Sequence, residues 1–302
     1  MRPSVSVILV SYRSRAVLGP CLESLATCEL RVPLEVIVVD NDSQDGTVQW
    51  LEREHPSVRV IANPHNRGFA SAVNQGLAVA EAEHMLLLNP DSLVDAAGLD
   101  RLIATLDSDL SCAVVAPQLL DEDGTPARSC GRFPTLWTLA CEHLWLSRLF
   151  PRARWAAGYK YAGTPLETLD EVGWASGAAL LIPRRALRLV GPLDAGFFMY
   201  MEEVDWCLRA HQAGFRVRYV HDAVFTHTGQ HASKGSEGRT YLHNLRSRVR
   251  YFRKHHGPFA AAVAKLILGV SLVAKWVSVR LGARGAEASA VYVRGLEAVW
   301  AA

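Results

Sequence analysis

The stretch "EVIVVDNDSQDGTVQWLEREH", residues 35–55, decides how the chain folds. Val36 to Val39 form an unbroken β-branched run, which reads as a strand buried on both faces. The run stops at Asp40. An Asp-, Asn- and Gly-rich turn then leads into a short helix. A strand that ends on a carboxylate at the C-terminal edge of a parallel sheet puts that carboxylate where open α/β folds bind ligands.

The same alternation continues on both sides. Before it come a strand, "VSVILVSY" (5–12), and a helix with Val17, Leu18, Leu22 and Leu25 at helical spacing. After it come a strand "VRVIAN" (58–63), a small-residue helix "FASAVNQGLAVAEA" (69–82) and a strand "HMLLLN" (84–89). Apolar strands separated by helices build βαβ units, so the expected class is α/β with a mainly parallel central sheet. Residues 125–170 read as loops around one helix, "LWTLACEHLWLSRLF" (136–150). A strand and helix start follow in "GWASGAALLIPRRAL" (173–187), then one or two strands in "FRVRYVHDAVFTH" (215–227). Past residue 231 the pattern is helical.

Composition excludes a disordered chain: of 302 residues, half are apolar and 21% charged. Six cysteines lie far apart without a CxxC pair, and no leader-like pattern opens the chain. Both point to a reduced, cytosolic compartment. The net charge of +2 conceals an asymmetry, because residues 233–284 carry eleven Lys or Arg and the single acid Glu237.

Four stretches offer chemistry. Asp40 can accept hydrogen bonds from a pyrimidine N–H or a ribose hydroxyl, or it can simply open the turn that caps the next helix. In "LLLNPDS" (86–92) the strand breaks at Pro90 and leaves Asp91 at the sheet edge. A dication held against a diphosphate takes one or two such carboxylates; a Pro-Asp turn before a helix is the structural alternative. In "NPHNRGFASAVNQG" (63–76), Arg67 and Gly68 precede a helix whose first amides suit an anion, with Asn74 a turn further on; an ordinary loop and Ala-rich helix explain them too.

In "FFMYMEEVDWCLRAH" (197–211), Asp205 faces Arg209 at i, i+4, and Glu202 shares that side of the helix. Glu203 points about a hundred degrees away and faces no cation, since Cys207 stands at i+4. That makes Glu203 the general-base candidate. His221, His227 and His231 are spaced by six and four, unlike a compact HExxH zinc site.

Taken in order, "VSVILVSY", "VVDNDSQDGT", "NRGFASAVNQG", "LLLNPD", "WASGAALLIPR", "GFFMYMEEVDWCLRAHQAGFRV" and "VFTH" resemble the family 2 glycosyltransferases, in their rhamnosyltransferase-like branch, over about residues 4–230. The resemblance implies a GT-A fold over residues 1–232, followed by a helical extension over 233–302. It implies that Asp40, with Asp42 beside it, reads the nucleotide base. Ser11, Tyr12, Asn66, Arg67, Asn74 and Asn89 then line the nucleotide-sugar. Asp91 matches the last acid of a DxD motif whose first acid is Asn89 here, and His227 completes a site for Mg²⁺ or Mn²⁺. Glu203 holds the position of the catalytic base, commonly Asp in the family, and Glu202 stands where it can touch the acceptor.

The implied reaction is inverting transfer of a sugar, rhamnose by family, from a dTDP- or UDP-linked donor to a hydroxyl of a glycan or polyprenyl-linked acceptor. Two rival readings stay open: a nucleotidyltransferase that makes nucleotide-sugars, and an inactive nucleotide-sugar- or lipid-binding protein. No GxGxxG follows a strand and no QxxRW follows the acidic cluster, against a dehydrogenase and a processive synthase.

The tail holds nine uncharged residues, "LILGVSLVA", between Lys265 and Lys275, against the about twenty a spanning helix needs. Each mid-helix Lys would cost about 2.5–3.5 kcal/mol. An interfacial helix is expected, with an anionic membrane surface as partner through residues 240–282 and no nucleic acid. A helical cap or a dimer surface is the alternative. The expected location is cytoplasmic, peripheral at the inner face of the cell membrane.

Overall fold

In a computed structural model the chain is described over residues 4–27, 33–150, 153–156, 160–161, 164–229, 237–281 and 286–302. It divides into two compact units: Met1–Gly131, Pro165–Phe198 and Glu202–His231 form the first, and Arg132–Thr164, Met199–Met201 and Ala232–Ala302 the second. His231 and the junction expected at residues 232–233 lie outside the described residues.

The first unit opens with β1 (Val5–Ser11), α1 (Arg15–Thr27), β2 (Leu34–Asp40), α2 (Thr47–Glu54), β3 (Arg59–Ala62), α3 (Phe69–Val79) and β4 (His84–Leu88). These four strands pair in parallel in the order β3-β2-β1-β4. β1 is buried at every residue because it has neighbours on both edges and helices on both faces. Val5, Val7 and Leu9 point to one face and meet Leu18, Leu22 and Leu25 of α1 in the core. Burying each such side chain contributes about 1.5–3 kcal/mol. On the other face Ile8 reaches α3 at Gly76, where an added Cβ would stand 2.6 Å from Ile8 Cγ2. Only a bare backbone allows that approach.

Next come β5 (Ser92–Leu93), α4 (Ala96–Ser108), β6 (Cys112–Leu120) and β7 (Cys130–Gly131). Asp95 caps α4, its carboxylate accepting from Gly98 N–H at 2.7 Å. In the second unit, α5 (Leu136–His143) and α6 (Leu146–Leu149) replace the single helix expected over 136–150. The break falls at Trp145, which turns left-handed with φ 59°. The first unit resumes with β8 (Glu171–Val172), β9 (Trp174–Ala175), β10 (Ala179–Pro183), α7 (Arg184–Val190), α8 (Glu202–Gln212) and β11 (Arg216–His227).

β10 runs antiparallel between β4 and β6; β11 pairs parallel with β6 and antiparallel with β5 and β8. The sheet is therefore mixed, with the parallel half formed by β1 to β4. β6 contains Pro117, which has no N–H for the ladder. The register of β11 slips between Val220 and Val224, beside that proline.

The second unit ends with α9 (Glu237–Leu281) and α10 (Ala286–Ala301). α9 is broken at Gly257 (φ 83°, ψ 177°), followed by Pro258. Lys275 donates to the Tyr241 hydroxyl at 3.4 Å, though 34 residues separate them. An unbroken helix would hold them about 50 Å apart, so the two halves fold back as a hairpin. α10 closes over it, with Gly295 against Leu272 and Leu245. Arg248 is buried and forks onto Glu142 of α5 at 3.2 and 3.3 Å.

Candidate active site

The parallel strands end at one edge of the sheet, and their last residues build the site. Ser11 and Asp40 are register partners closing β1 and β2. Ser11 is buried, its hydroxyl 2.8 Å from that of Ser14, and Tyr12 is partly exposed with the Arg13 guanidinium 5.4 Å from its ring centre. Asp40 is buried. Its Oδ2 accepts from Ser43 N–H at 3.1 Å, while Oδ1 has no hydrogen-bond partner. A buried carboxylate oxygen without a partner is costly unless something arrives to bond it. Asp42, with φ 69°, turns away and accepts from Gln44 at 2.7 Å.

Between the two acids stands Asn41, which composition and spacing did not single out. It is buried and uses its whole amide. Nδ2 donates to Asn66 Oδ1 at 2.9 Å and to the Gly68 carbonyl at 3.2 Å, and Oδ1 accepts from Arg67 N–H at 3.0 Å and Asn63 Nδ2 at 3.2 Å. One side chain thus ties the end of β2 to the loop that carries Asn66 and Arg67. Asn66 also accepts from Gly68 N–H at 2.9 Å. Arg67 is exposed at the mouth of this loop. Gly68 has φ 82°, and an added Cβ would lie 2.6 Å from the Phe198 carbonyl. Asn74, expected to line the nucleotide-sugar, bonds the Leu193 backbone with both ends of its amide, at 2.8 and 3.0 Å. It anchors that loop.

After β4 the chain turns at Pro90. Asn89 N–H donates to the Ala178 carbonyl at 3.0 Å, and β5 then pairs Ser92 opposite His227. That register brings His227 to Asp91 across 136 positions of sequence: Nε2 lies 3.2 Å from Asp91 Oδ1 and 3.2 Å from Asn89 Nδ2. Asp91 is buried and His227 is partly open. The nearby Cys21 thiol is pushed up to about 12, by burial first and by the charge of Asp91 second.

An imidazole nitrogen and a carboxylate oxygen at one point suit a divalent ion. Among the described residues no cluster of three or more His, Cys, Asp or Glu side chains forms a metal site. Two protein ligands would leave the rest of such an ion's coordination to other oxygens.

α8 supplies the acids. It begins at Glu202 after two consecutive left-handed residues, Tyr200 (φ 69°) and Met201 (φ 68°). Asp205 is fully buried and bonds Arg209 at 2.9 Å. Arg209 in turn donates to the Val190 and Pro192 carbonyls at 2.7 and 2.8 Å, so this pair fastens the loop before α8. Glu203 lies against two parts of the cleft wall. Its Cβ and the Phe69 ring both approach Gly177, whose neighbour Ala178 accepts from Asn89.

Glu202 is the acid expected to share the Asp205 side of the helix and to stand where it can touch the acceptor. It is almost wholly buried, and its Oε2 has no hydrogen-bond partner. Burial, then the charges of Glu203 and Asp205, hold its carboxyl well above the usual range.

A parallel half-sheet with acids at its C-terminal edge, a His–Asp pair after the fourth strand and an acidic helix α8 belong to the GT-A fold. The chain belongs to glycosyl transferase family 2, whose profile matches residues 6–168. It is therefore a glycosyltransferase, similar to the rhamnosyltransferases of that family. It is 29% identical to the N-acetylglucosaminyl-diphospho-decaprenol L-rhamnosyltransferase of Mycobacterium tuberculosis, over 94% of this chain and 95% of the relative. It is 24% identical to the rhamnosyltransferase WbbL of Escherichia coli, over 83% and 93%. Among solved structures, the mannosyltransferase PcManGT from Pyrobaculum calidifontis, in complex with GDP-Man and Mn²⁺, superposes with a TM-score of 0.57 at 17% identity, covering 100% of this chain and 87% of that one.

Proposed function

We propose that this glycosyltransferase inverts the anomeric centre as it moves a sugar of the rhamnose class from a nucleoside diphosphate to a hydroxyl of a polyprenyl-diphosphate-linked glycan, working at the cytoplasmic face of the membrane. The observation that carries the reading is the meeting of Asp91 and His227 at 3.2 Å beside Asn89, whose N–H reaches the Gly177–Ala178 turn that also lies against Glu203.

Each residue then has a physical task. Asp40 Oδ1 accepts a hydrogen bond from the donor's base or ribose, which answers its lack of a partner. Asn41 holds Asn66 and Arg67 in register, and Arg67 offers a cation to the diphosphate. A divalent ion held by Asp91 and His227 would neutralise charge on the departing nucleoside diphosphate. Burial and the charges of Glu203 and Asp205 raise the Glu202 carboxyl well above the usual range, so Glu203 is the acid we assign as the base. Glu203 takes the acceptor hydroxyl's proton, the oxygen bonds to C1, and the C1–O bond to phosphate breaks on the opposite face. One displacement suffices, with no glycosyl-enzyme intermediate.

The relative in M. tuberculosis acts by its name on a decaprenyl-diphosphate acceptor, which supports an acceptor of that class here. A screen of dTDP-, UDP- and GDP-linked sugars with Mn²⁺ tests the reading. Nucleoside diphosphate should appear when acceptor is added, whereas release of pyrophosphate would assign a nucleotidyltransferase. Glu203→Gln is expected to bind donor normally and to lose turnover by at least about a hundredfold. Near-normal turnover would remove Glu203 from the mechanism.

A further inference from the structure

The second half of α9, from Pro258 to Leu281, is apolar on both sides. One face carries Ala261, Ala264, Leu268 and Leu272, all buried within the helical unit. The opposite face carries Phe259, Leu266, Val270, Val273, Val277 and Leu281, and all six are exposed, Phe259 at 81% and Leu281 at 83%. At a hundred degrees per residue these six fall within about 80° of arc, a continuous stripe along some 35 Å of helix. A soluble helix presents charge on that side, and a contiguous apolar patch of this extent marks an interaction surface.

The occupant is indicated by charge. The half of α9 before the break places Arg246, Arg250 and Arg253 at i, i+4, i+7, all exposed. Residues 233–284 together hold eleven Lys or Arg against the acid Glu237. An apolar stripe on one half of the hairpin and a basic row on the other suit an anionic bilayer, where the first sinks into the acyl boundary and the second meets headgroups. The helix has the length and hydropathy to cross a membrane: an 18-residue window within Gly238–Leu281 averages 1.8. Packing speaks against a crossing. Its inner face is already covered, Lys265 donates to the Trp300 carbonyl at 3.1 Å, and Lys275 is held on Tyr241. Trp300 is itself exposed, and Arg280 stacks 5.5 Å from the Trp276 ring, the kind of residues that settle at headgroup depth.

We infer that the Pro258–Leu281 helix lies flat in the surface of an anionic membrane, on its Phe259–Leu281 stripe, with Arg246, Arg250 and Arg253 against the headgroups. This deepens the proposed function by naming the surface at which a lipid-linked acceptor is met. Its test is independent of turnover: sedimentation of the full chain with phosphatidylcholine vesicles, with and without about one-third phosphatidylglycerol. Binding should require the anionic lipid and fall steeply with salt. Leu266→Asp with Val277→Asp should weaken binding about tenfold or more, and Arg246→Glu with Arg253→Glu should abolish its salt dependence. Both variants should keep their circular dichroism and their thermal midpoint, since the changed side chains are exposed.

Equal binding of the apolar variant would overturn the inference. So would binding that survives an alkaline carbonate wash, which means a spanning helix. A solution mass that falls from dimer to monomer in the same variant would assign the stripe to a second copy of the chain. Loss of transfer with intact vesicle binding would instead count against the catalytic reading alone.

Discussion

Asn41 shows how much of the cleft depends on one amide. Its four hydrogen bonds span the end of β2, the Asn63 side chain and the Asn66–Gly68 loop. Asn41→Ala is expected to cost about 1–3 kcal/mol in urea unfolding, because it strands donors and acceptors rather than removing a pair. Donor affinity should fall with it. Glu202 behaves in the opposite sense. Its folded carboxyl titrates well above the ordinary 4.5, so as pH rises past that value the unfolded chain sheds a proton that the folded chain keeps. Stability is lost through this window, up to the raised folded value, at on the order of 1 kcal/mol per pH unit. Glu202→Gln cannot ionise. It should match the parent near about pH 4 and exceed it by a growing margin above about pH 5 in denaturant titrations of the free protein. Asp40, Asp91 and His227 were legible as residues because each stands at a strand end in a recognisable run. Asn41 was not, since an amide between two acids reads as turn chemistry until its partners from other segments are in place.

At the scale of elements, Gly68 and α8 matter most. Gly68 combines φ 82° with the Phe198 carbonyl 2.6 Å from where a Cβ would sit, and Phe69 N–H donates to that same carbonyl. Gly68→Ala should therefore destabilise the protein by about 1–3 kcal/mol and loosen the Arg67 loop, seen as weaker donor binding by calorimetry. Helices and strands with uninterrupted period were legible: β1, β2, β4, α1 and α3 lie where the runs put them. The single helix expected over 136–150 is two, because nothing in its periodicity marks Trp145 as left-handed. β6 carries a proline inside a buried strand, a residue that argues against a strand when read locally. Its ladder is completed only by the register slip of β11.

For the whole molecule, the binding reading makes a thermal prediction. A nucleoside diphosphate with Mn²⁺ at a hundred times its Kd should stabilise the protein by about 2.7 kcal/mol. A chelator, or Asp91→Asn, should remove most of that shift in differential scanning fluorimetry; an undiminished shift would take Asp91 out of the ion's coordination. The order of strands and helices, the acids at their ends and the basic tail were set by local sequence, because strand and helix periods and turn residues act over a few positions. The tertiary structure alone decided three things: the distance at which Asp91 meets His227, how deeply Glu202 is buried, and that α9 doubles back at Gly257 instead of running on. Each depends on contacts between residues far apart in the chain, and such contacts leave no periodic trace for a local reading to find.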